Sequence, residues 1–136
     1  TKPDVVVNLA AQAGVRLTIQ ENYKYVESNL IGFSNVLAET VENKVPLFLY
    51  ASSSSVYGDS ATHPYSELDN NLHPNSFYGA TKLANELLVP TLVRNSTTAA
   101  RGLRFFTVYG PWGRPDMAYF RMIANAKPNK GESKSA

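Results

Sequence analysis

The sequence has no cysteine, no long apolar run and little net charge, and each absence excludes a class of protein. Without cysteine in its 136 residues, the chain can form neither disulfides nor thiolate metal sites. No apolar run approaches the roughly 18 residues that suggest a membrane-spanning helix, so no membrane partner is expected. The net charge of +2 arises mostly from the segment Lys127–Lys134 and does not indicate nucleic-acid binding.

Composition and length favour a single globular domain. Apolar residues make up 43% and charged residues 18% of the chain, which is typical of globular proteins. Residues 127–136 contain few apolar side chains and are expected to be disordered. Thr1–Asp4 lacks the pattern of a signal peptide, so a cytoplasmic location is expected. His63 and His73 have no Asp, Glu or Cys at ligand spacing, and no metal site is predicted.

Short apolar runs, the first of them β-branched, alternate with segments of helical spacing. The runs predict three buried strands, at Val5–Ala11, Leu47–Ala51 and Gly102–Val108. The helical segments are Tyr23–Asn43, Ser76–Asn95 and the shorter Met117–Ala126. This alternation predicts an α/β fold with a parallel sheet and flanking helices.

Some residues within these elements carry separate expectations. Pro90 lies inside the second helix and is expected to kink or locally disrupt it. The leucines of that helix form a stripe that fits either core packing or a dimer contact: Leu83, Leu87, Leu88 and Leu92. Tyr109 and Trp112 are expected to pack against other residues, and Glu86 is expected to pair with Lys82 or with solvent.

Polar clusters follow the predicted strands. In open parallel sheets, ligands bind beyond the carboxyl ends of the strands. Sites are therefore expected at Ala10–Gly14, Ser52–Ser55 and Phe106–Arg114. Four serines could also form a flexible linker. Their position between a buried strand and Val56-Tyr57-Gly58 favours a site instead.

Tyr78 and Lys82 are four residues apart on a predicted helix and therefore share one face. An ammonium near a phenol favours the phenolate, which can accept a proton at neutral pH. With eight tyrosines in the chain, this spacing also arises by chance. The serine-rich strand end that precedes it supplies a hydroxyl for the same substrate oxygen, and the two features together indicate a catalytic site.

Several motifs together resemble the extended short-chain dehydrogenases. They are Ala51-Ser52-Ser53-Ser54-Ser55-Val56-Tyr57-Gly58, Tyr78-Gly79-Ala80-Thr81-Lys82 and Leu103-Arg104-Phe105-Phe106-Thr107-Val108-Tyr109-Gly110-Pro111. Two further segments are most similar to UDP-glucuronate 4-epimerases, namely Asn8-Leu9-Ala10-Ala11-Gln12-Ala13-Gly14-Val15-Arg16 and Gly110-Pro111-Trp112-Gly113-Arg114-Pro115-Asp116-Met117.

The resemblance implies a Rossmann-like domain, the cofactor NAD and a set of roles. Ser53 would supply the catalytic hydroxyl, Tyr78 the base, and Lys82 would hold the nicotinamide ribose and favour the ionised Tyr78. The family's cofactor contacts carry over to Leu9, Ala10, Ala11, Gln12, Ser28, Ser53, Tyr78, Lys82 and Phe106. The implied reaction is epimerisation of a nucleotide sugar, in which C4 is oxidised and then reduced on its other face.

The residues after Ser53 discriminate between related reactions. Related 4,6-dehydratases carry Asp-Glu where this chain has Ser54 and Ser55, so dehydration is disfavoured. Small hydroxyls suit a substrate carboxylate, and Thr107 and Arg114 are further candidate substrate contacts. This favours UDP-glucuronate, with UDP-galacturonate as product. We hypothesise that these hydroxyls hold the carboxylate and oppose decarboxylation of the β-keto acid.

The family's Gly-rich turn for the cofactor pyrophosphate does not occur in this sequence. Residues 1–126 are therefore expected to be the C-terminal part of an NAD-binding domain running into the start of a substrate domain. Alone, this piece is expected to be inactive; at full length, a homodimer is expected. Three alternatives remain: a UDP-glucose/galactose 4-epimerase, another NAD-dependent sugar epimerase or dehydratase, and a non-catalytic Rossmann-like binding module.

Overall fold

The computed structural model describes residues 2–14, 18–59 and 63–126, and a parallel sheet forms the centre of its first unit, Thr1–Phe106. The strands β1 (Val5–Asn8), β2 (Leu47–Ser53) and β3 (Ala99–Phe105) lie in the order β1-β2-β3, and both neighbouring pairs are parallel. The predicted α/β, Rossmann-like arrangement is therefore confirmed. Because the strands are parallel, their carboxyl ends lie along one edge.

The helical segment between β1 and β2 has a more complex backbone than its sequence predicts. A 3₁₀ turn at Ile19–Glu21 leads into α1 (Asn22–Tyr25), a π-helix at Val26–Gly32 and α2 (Phe33–Glu42). Apolar spacing predicted an uninterrupted α-helix over Tyr23–Asn43. The wider π turns change the angle between successive side chains. Val36, which fits the apolar stripe of an ideal helix, is accordingly 40% exposed.

The helix α3 (Phe77–Val93) begins at Ser76, whose Oγ accepts a hydrogen bond from the Gly79 N–H at 3.0 Å. Its buried residues are Gly79, Thr81, Lys82, Asn85 and Val89. Leu87, Leu88 and Leu92 are exposed, so most of the leucine stripe does not belong to the core of this unit. The helix also continues through Pro90 to Val93. The helix is thus not interrupted at Pro90, which lies in its last turn, and the predicted kink stays a prediction.

The core lies between the sheet and the helices α2 and α3. It is formed by Phe33, Leu37, Phe48, Tyr50 and Val89. The rings of Phe33 and Tyr50 meet edge to face, with their centroids 5.3 Å apart. Tyr50 also lies directly against Gly102, where an added Cβ would come within 2.6 Å of the phenol ring. A glycine in β3 thus makes room for an aromatic side chain of β2.

The opposite face of the sheet is not covered by the helices of this unit. Successive side chains of a strand point to opposite faces. Val5 and Val7 of β1 and Leu103 and Phe105 of β3 are between 41% and 56% exposed. Apolar side chains on both faces of a strand are expected for a sheet that is buried on both faces. In the described part of this unit, helices cover only one face.

The strand β3 begins and ends three residues before its predicted bounds of Gly102 and Val108. The cause is its register on β2, where Ala99 lies opposite Leu47 and Phe105 opposite Ser53. The Ala99 N–H extends this pairing by donating to the Pro46 carbonyl at 2.9 Å. Phe106 and Thr107 therefore follow the strand.

The second unit, Thr107–Ala136, contains turns and the helix α4 (Ala118–Ala126), close to the predicted Met117–Ala126. Tyr109 and Trp112 are 86% and 98% exposed, so the expectation that they pack is wrong. The physical reason is that α4 contributes no buried residue. Residues 127–136, expected to be disordered, and Val15 and Arg16 lie outside the described residues. No helix in the described part of the chain is long and apolar enough to cross a membrane.

Candidate functional site

The carboxyl end of β2 turns sharply at the serines. Ser52 and Ser53 belong to the strand itself, and a 3₁₀ turn follows at Ser54–Val56. The Ser53 Oγ accepts the Ser55 N–H at 3.1 Å and lies 3.2 Å from the Ser55 Oγ. Ser53 is 8% exposed. The main chain thus fixes the position of this oxygen, while its proton can rotate toward a ligand.

Lys82 projects from α3 to the same strand end. Its Nζ donates a hydrogen bond of 2.8 Å to the Ala51 carbonyl. Lys82 is 2% exposed, and its burial lowers the pKa of the ammonium below the usual value. The Nζ also lies 5.8 Å from the centroid of the Tyr78 ring. A cation is therefore held between the strand that ends at Ser53 and the phenol of Tyr78.

Tyr78 lies in the first turn of α3 and is half-buried. Its ring centroid is 6.2 Å from that of Tyr25. The helix approaches the serine turn so closely that a Cβ on Gly79 would lie 2.7 Å from the Ser55 carbonyl oxygen. The structure thus brings the Ser53 strand end, Tyr78 and Lys82 to one edge of the sheet, as the sequence predicted. Their catalytic roles remain predictions.

The segment after β1 lies at this edge and contains four of the predicted cofactor contacts. Leu9 and Ala10 are exposed, and Ala11 and Gln12 are half-buried. The Asn8 Oδ1 accepts the Ala10 N–H at 3.2 Å, which starts a turn directly after the strand. Small, exposed residues there leave the main chain open to a ligand.

Asn29 fixes this segment, and sequence reasoning did not assign it a role. It is 1% exposed, and its side-chain amide bonds both main-chain groups of Gln12, at 2.8 Å and 3.1 Å. The Nδ2 also donates to the Thr81 Oγ1 at 3.1 Å, and the Thr81 hydroxyl donates to the Tyr78 carbonyl. The sequence does carry a signal: Asn29 lies three residues after Val26 and four before Phe33, on the apolar stripe.

Sequence analysis expected Glu86 to pair with Lys82 or with solvent, but its partners are Arg104 and Ser52. Its carboxylate binds the Arg104 guanidinium at 3.0 Å and 2.9 Å and accepts a hydrogen bond from the Ser52 hydroxyl. The correction follows from the direction of the side chains: Lys82 reaches back to Ala51, whereas Glu86 faces β3. Arg104 had no predicted partner, because its partner lies on another element.

The other predicted contacts of the first unit take varied positions. Ser28 is exposed on the π-helix, and Ser54 and Ser55 are half-buried. Phe106 is 52% exposed, with its ring centroid 5.2 Å from that of Tyr65. Nothing in these positions contradicts the predicted roles, which remain predictions.

In the second unit, Thr107 is exposed, and Arg114 forms a bidentate pair with Asp116. The two guanidinium–carboxylate distances are 3.0 Å and 2.6 Å. Sequence reasoning assigned no partner to Arg114. Its predicted role toward a substrate carboxylate or diphosphate remains a prediction, as does that of Thr107. Across the described residues of both units, no group of three or more His, Cys, Asp and Glu side chains could hold a metal ion.

Comparisons with known proteins agree with this architecture. A model of the NAD dependent epimerase/dehydratase family matches residues 1–135. The protein CapI of Staphylococcus aureus is 52% identical over 120 residues, which are 88% of this chain and 36% of the relative. UDP-glucuronate 4-epimerase 5 of Arabidopsis thaliana is 52% identical over 116 residues, 85% of this chain and 27% of that protein.

A solved structure of a UDP-sugar epimerase is also similar to this chain. The UDP-glucuronic acid 4-epimerase of Bacillus cereus, in complex with UDP-glucuronic acid and NAD, superposes with a TM-score of 0.75 at 38% identity. The match covers 88% of this chain and 38% of that one. The chain thus spans about a quarter to just over a third of the length of the curated relatives named above.

Proposed function

The chain belongs to the NAD-dependent epimerase/dehydratase family, and we propose that the whole protein interconverts UDP-glucuronate and UDP-galacturonate by transient oxidation at C4. The observation that carries the proposal is the bond between the Lys82 Nζ and the Ala51 carbonyl, which joins the Tyr78 helix to the strand that ends at Ser53. The similarity to UDP-glucuronate 4-epimerases supports the choice of substrate.

The residues at this edge fit NAD. An ammonium has three donors, and the Ala51 carbonyl occupies one donor of Lys82. The others suit the hydroxyls of the nicotinamide ribose. The small side chains of Ala10 and Ala11 leave the main chain after β1 open to the dinucleotide. We assign further contacts to Leu9, Gln12, Ser28 and Phe106. Held by these residues, NAD would supply the acceptor and donor of the C4 hydride.

The protein groups handle the proton. Tyr78, ionised with the help of the neighbouring Lys82 charge, accepts the proton of the sugar 4-hydroxyl. The Ser53 hydroxyl donates a hydrogen bond to the same oxygen, because the Ser55 N–H already holds its Oγ in place. When the hydride returns, Tyr78 gives the proton back. The burial of Lys82 strengthens these interactions, since a low-dielectric setting screens charges less.

The serine turn suits the carboxylate of a uronate. Ser54 and Ser55 are half-buried next to Ser53 and offer hydroxyl donors without a competing side-chain carboxylate. Oxidation at C4 makes the uronate a β-keto acid, which tends to lose carbon dioxide. Fixed hydrogen bonds to the carboxylate would oppose that loss by restricting its orientation.

The test is a turnover assay on the whole protein with NAD. UDP-glucuronate should yield UDP-galacturonate, Tyr78→Phe should abolish turnover, and Tyr23→Phe, at an exposed tyrosine of α1, should not. Turnover of UDP-glucose but not of UDP-glucuronate would show that the substrate is the neutral sugar and not the uronate. Absence of any sugar epimerisation by the NAD-loaded protein would refute it.

A further inference from the structure

A partly buried ion pair lies behind the serine turn, and the proposed function assigns it no role in the chemistry or in cofactor binding. Glu86 of α3 and Arg104 of β3 meet through two parallel hydrogen bonds, at 3.0 Å and 2.9 Å. Their side chains are only 15% and 19% exposed. Two parallel bonds fix the relative orientation of a carboxylate and a guanidinium as well as their distance.

The pair connects α3 with both neighbouring strand ends. Ser52 and Arg104 are partners in the register of β2 and β3. Glu86 accepts a hydrogen bond from the Ser52 hydroxyl with the same oxygen that receives the Arg104 Nε. Ser52 is 2% exposed and directly precedes Ser53. Glu86 therefore holds the strand end just before the proposed catalytic serine, one helical turn beyond Lys82.

Arg104 extends the connection to the segment that follows the serine turn. Its guanidinium carbon lies 4.8 Å from the centroid of the Tyr57 ring. Tyr57 is 3% exposed, and its hydroxyl donates to the Ser66 carbonyl at 3.1 Å. Both ends of the serine turn are thus held by one group of side chains: Ser52 before it and Tyr57 after it.

Stability alone is a weak explanation for such a pair. Desolvation of two charges offsets much of their attraction, and apolar residues of similar volume often stabilise a fold equally well. An apolar contact does not fix the relative orientation of the two elements that it joins. The proposed reaction requires a fixed orientation of α3 relative to the strand end, because the Ser53 hydroxyl and the Tyr78 phenol must reach one sugar oxygen.

We propose that Glu86 and Arg104 are positioning residues that hold the Ser53 turn in register with Tyr78 and Lys82 for the C4 step. In this proposal the pair acts through Ser52 and Tyr57 rather than by contact with sugar or cofactor. The kinetic part of this proposal rests on the proposed function. It predicts a loss in kcat with little change in KM, since the binding groups stay in place while the reacting geometry loosens.

The test compares Glu86→Gln, Arg104→Lys and their double variant with the parent whole protein. The expected loss in kcat per NAD-loaded site is roughly 10-fold to 100-fold for each single variant, with KM for UDP-glucuronate changed by less than about threefold. The double variant should be little worse than either single one, because both remove the same contact. Val89→Ala, at a core residue of the same helix, is the control: it should lower Tm without lowering kcat per loaded site.

A second measurement does not depend on turnover. Amide hydrogen exchange at Ser53–Val56 should become faster in Glu86→Gln and stay close to the parent rate in Val89→Ala. An inactive parent would refute the proposed function, while the exchange rates would still decide on the positioning role. Unchanged exchange in Glu86→Gln, or an equal loss of kcat in Val89→Ala, would overturn that role.

Discussion

The side-chain amide of Asn29 pairs with both main-chain groups of Gln12, as a neighbouring strand would. Its Oδ1 accepts the Gln12 N–H at 2.8 Å, and its Nδ2 donates to the Gln12 carbonyl at 3.1 Å. The same Nδ2 reaches Thr81 on α3. The segment with the proposed cofactor contacts is thus tied to the helix of the proposed base, from within a π-helix.

Replacing Asn29 by Asp should break the connection between the segment at Gln12 and the helix α3. The carboxylate can still accept the Gln12 N–H, but it leaves the Gln12 carbonyl and the Thr81 hydroxyl without their donor. A loss of about 1–3 kcal/mol in the free energy of unfolding is expected, because a buried polar group loses its partner. Urea unfolding measures this loss, and calorimetry should show weaker NAD binding. Asn35→Asp, at an exposed position of α2, should change neither.

Lys82 should make the stability of the fold depend on pH in the alkaline range. Burial lowers the pKa of its ammonium below the 10.5 of an unperturbed lysine, so between the folded and unfolded pKa values the unfolded chain binds more protons. The contribution of Lys82 to the free energy of unfolding should therefore rise with pH across that window, and the full cost of the buried charge applies below the folded pKa. Urea unfolding between neutral pH and pH 10.5 measures this rise. Lys82→Met should flatten it, whereas Lys2→Met, at an exposed lysine, should not.

Gly102→Ala should destabilise the fold because its Cβ would come within 2.6 Å of the Tyr50 ring. Forcing a methyl group into such a contact costs about 1–3 kcal/mol. Thermal unfolding measures the effect. Combining the change with Tyr50→Leu should give less than the sum of the two single losses, since the smaller side chain makes room. Strict additivity of the two changes would contradict the observed contact.

Ser54→Ala and Ser55→Ala should increase decarboxylation by the whole protein. If these hydroxyls restrain the substrate carboxylate, each variant releases more of the pentose product per turnover of UDP-glucuronate than the parent. Product analysis by chromatography measures the ratio. Thr91→Ala, at an exposed hydroxyl of α3, serves as the control. A ratio unchanged in both serine variants would refute the role of the serine turn in holding the carboxylate.

The isolated 136-residue chain should show no measurable epimerisation. Its sequence has no Gly-rich pyrophosphate turn, and Val5, Val7, Leu103 and Phe105 leave one face of the sheet partly exposed. Weak NAD binding and poor solubility are expected for the same reasons. The same assay on the whole protein provides the comparison. Turnover of UDP-glucuronate by the isolated chain would contradict this prediction.

The alternation of strands and helices predicted the parallel sheet, and the strand-end setting together with the family resemblance predicted the grouping of Ser53, Tyr78 and Lys82. Short apolar runs mark the strands, and parallel strands bring their carboxyl ends to one edge. The predicted bounds of the third strand were three residues too late, because the observed bounds depend on pairing with β2. Apolar spacing assumes ideal α-helical turns, so it missed the π-helix and the exposure of Val36.

Contacts between distant elements explain what else was missed. Asn29 reaches back to Gln12, and Glu86 of α3 binds Arg104 of β3. The spacing of Asn29 on the apolar stripe indicates burial, but no spacing along the chain identifies the partner in either pair. Leu87 is likewise exposed although it belongs to an apolar stripe, because the stripe alone does not show whether another element packs on it.

The central claim is that Tyr78, Lys82 and Ser53 support oxidation and reduction at C4 of the sugar. UDP-glucuronate carrying deuterium at C4 tests it most directly with the whole protein in ordinary water. The UDP-galacturonate formed should retain deuterium at C4, and Tyr78→Phe should give no product. Loss of the deuterium to solvent, or undiminished turnover by Tyr78→Phe, would contradict it.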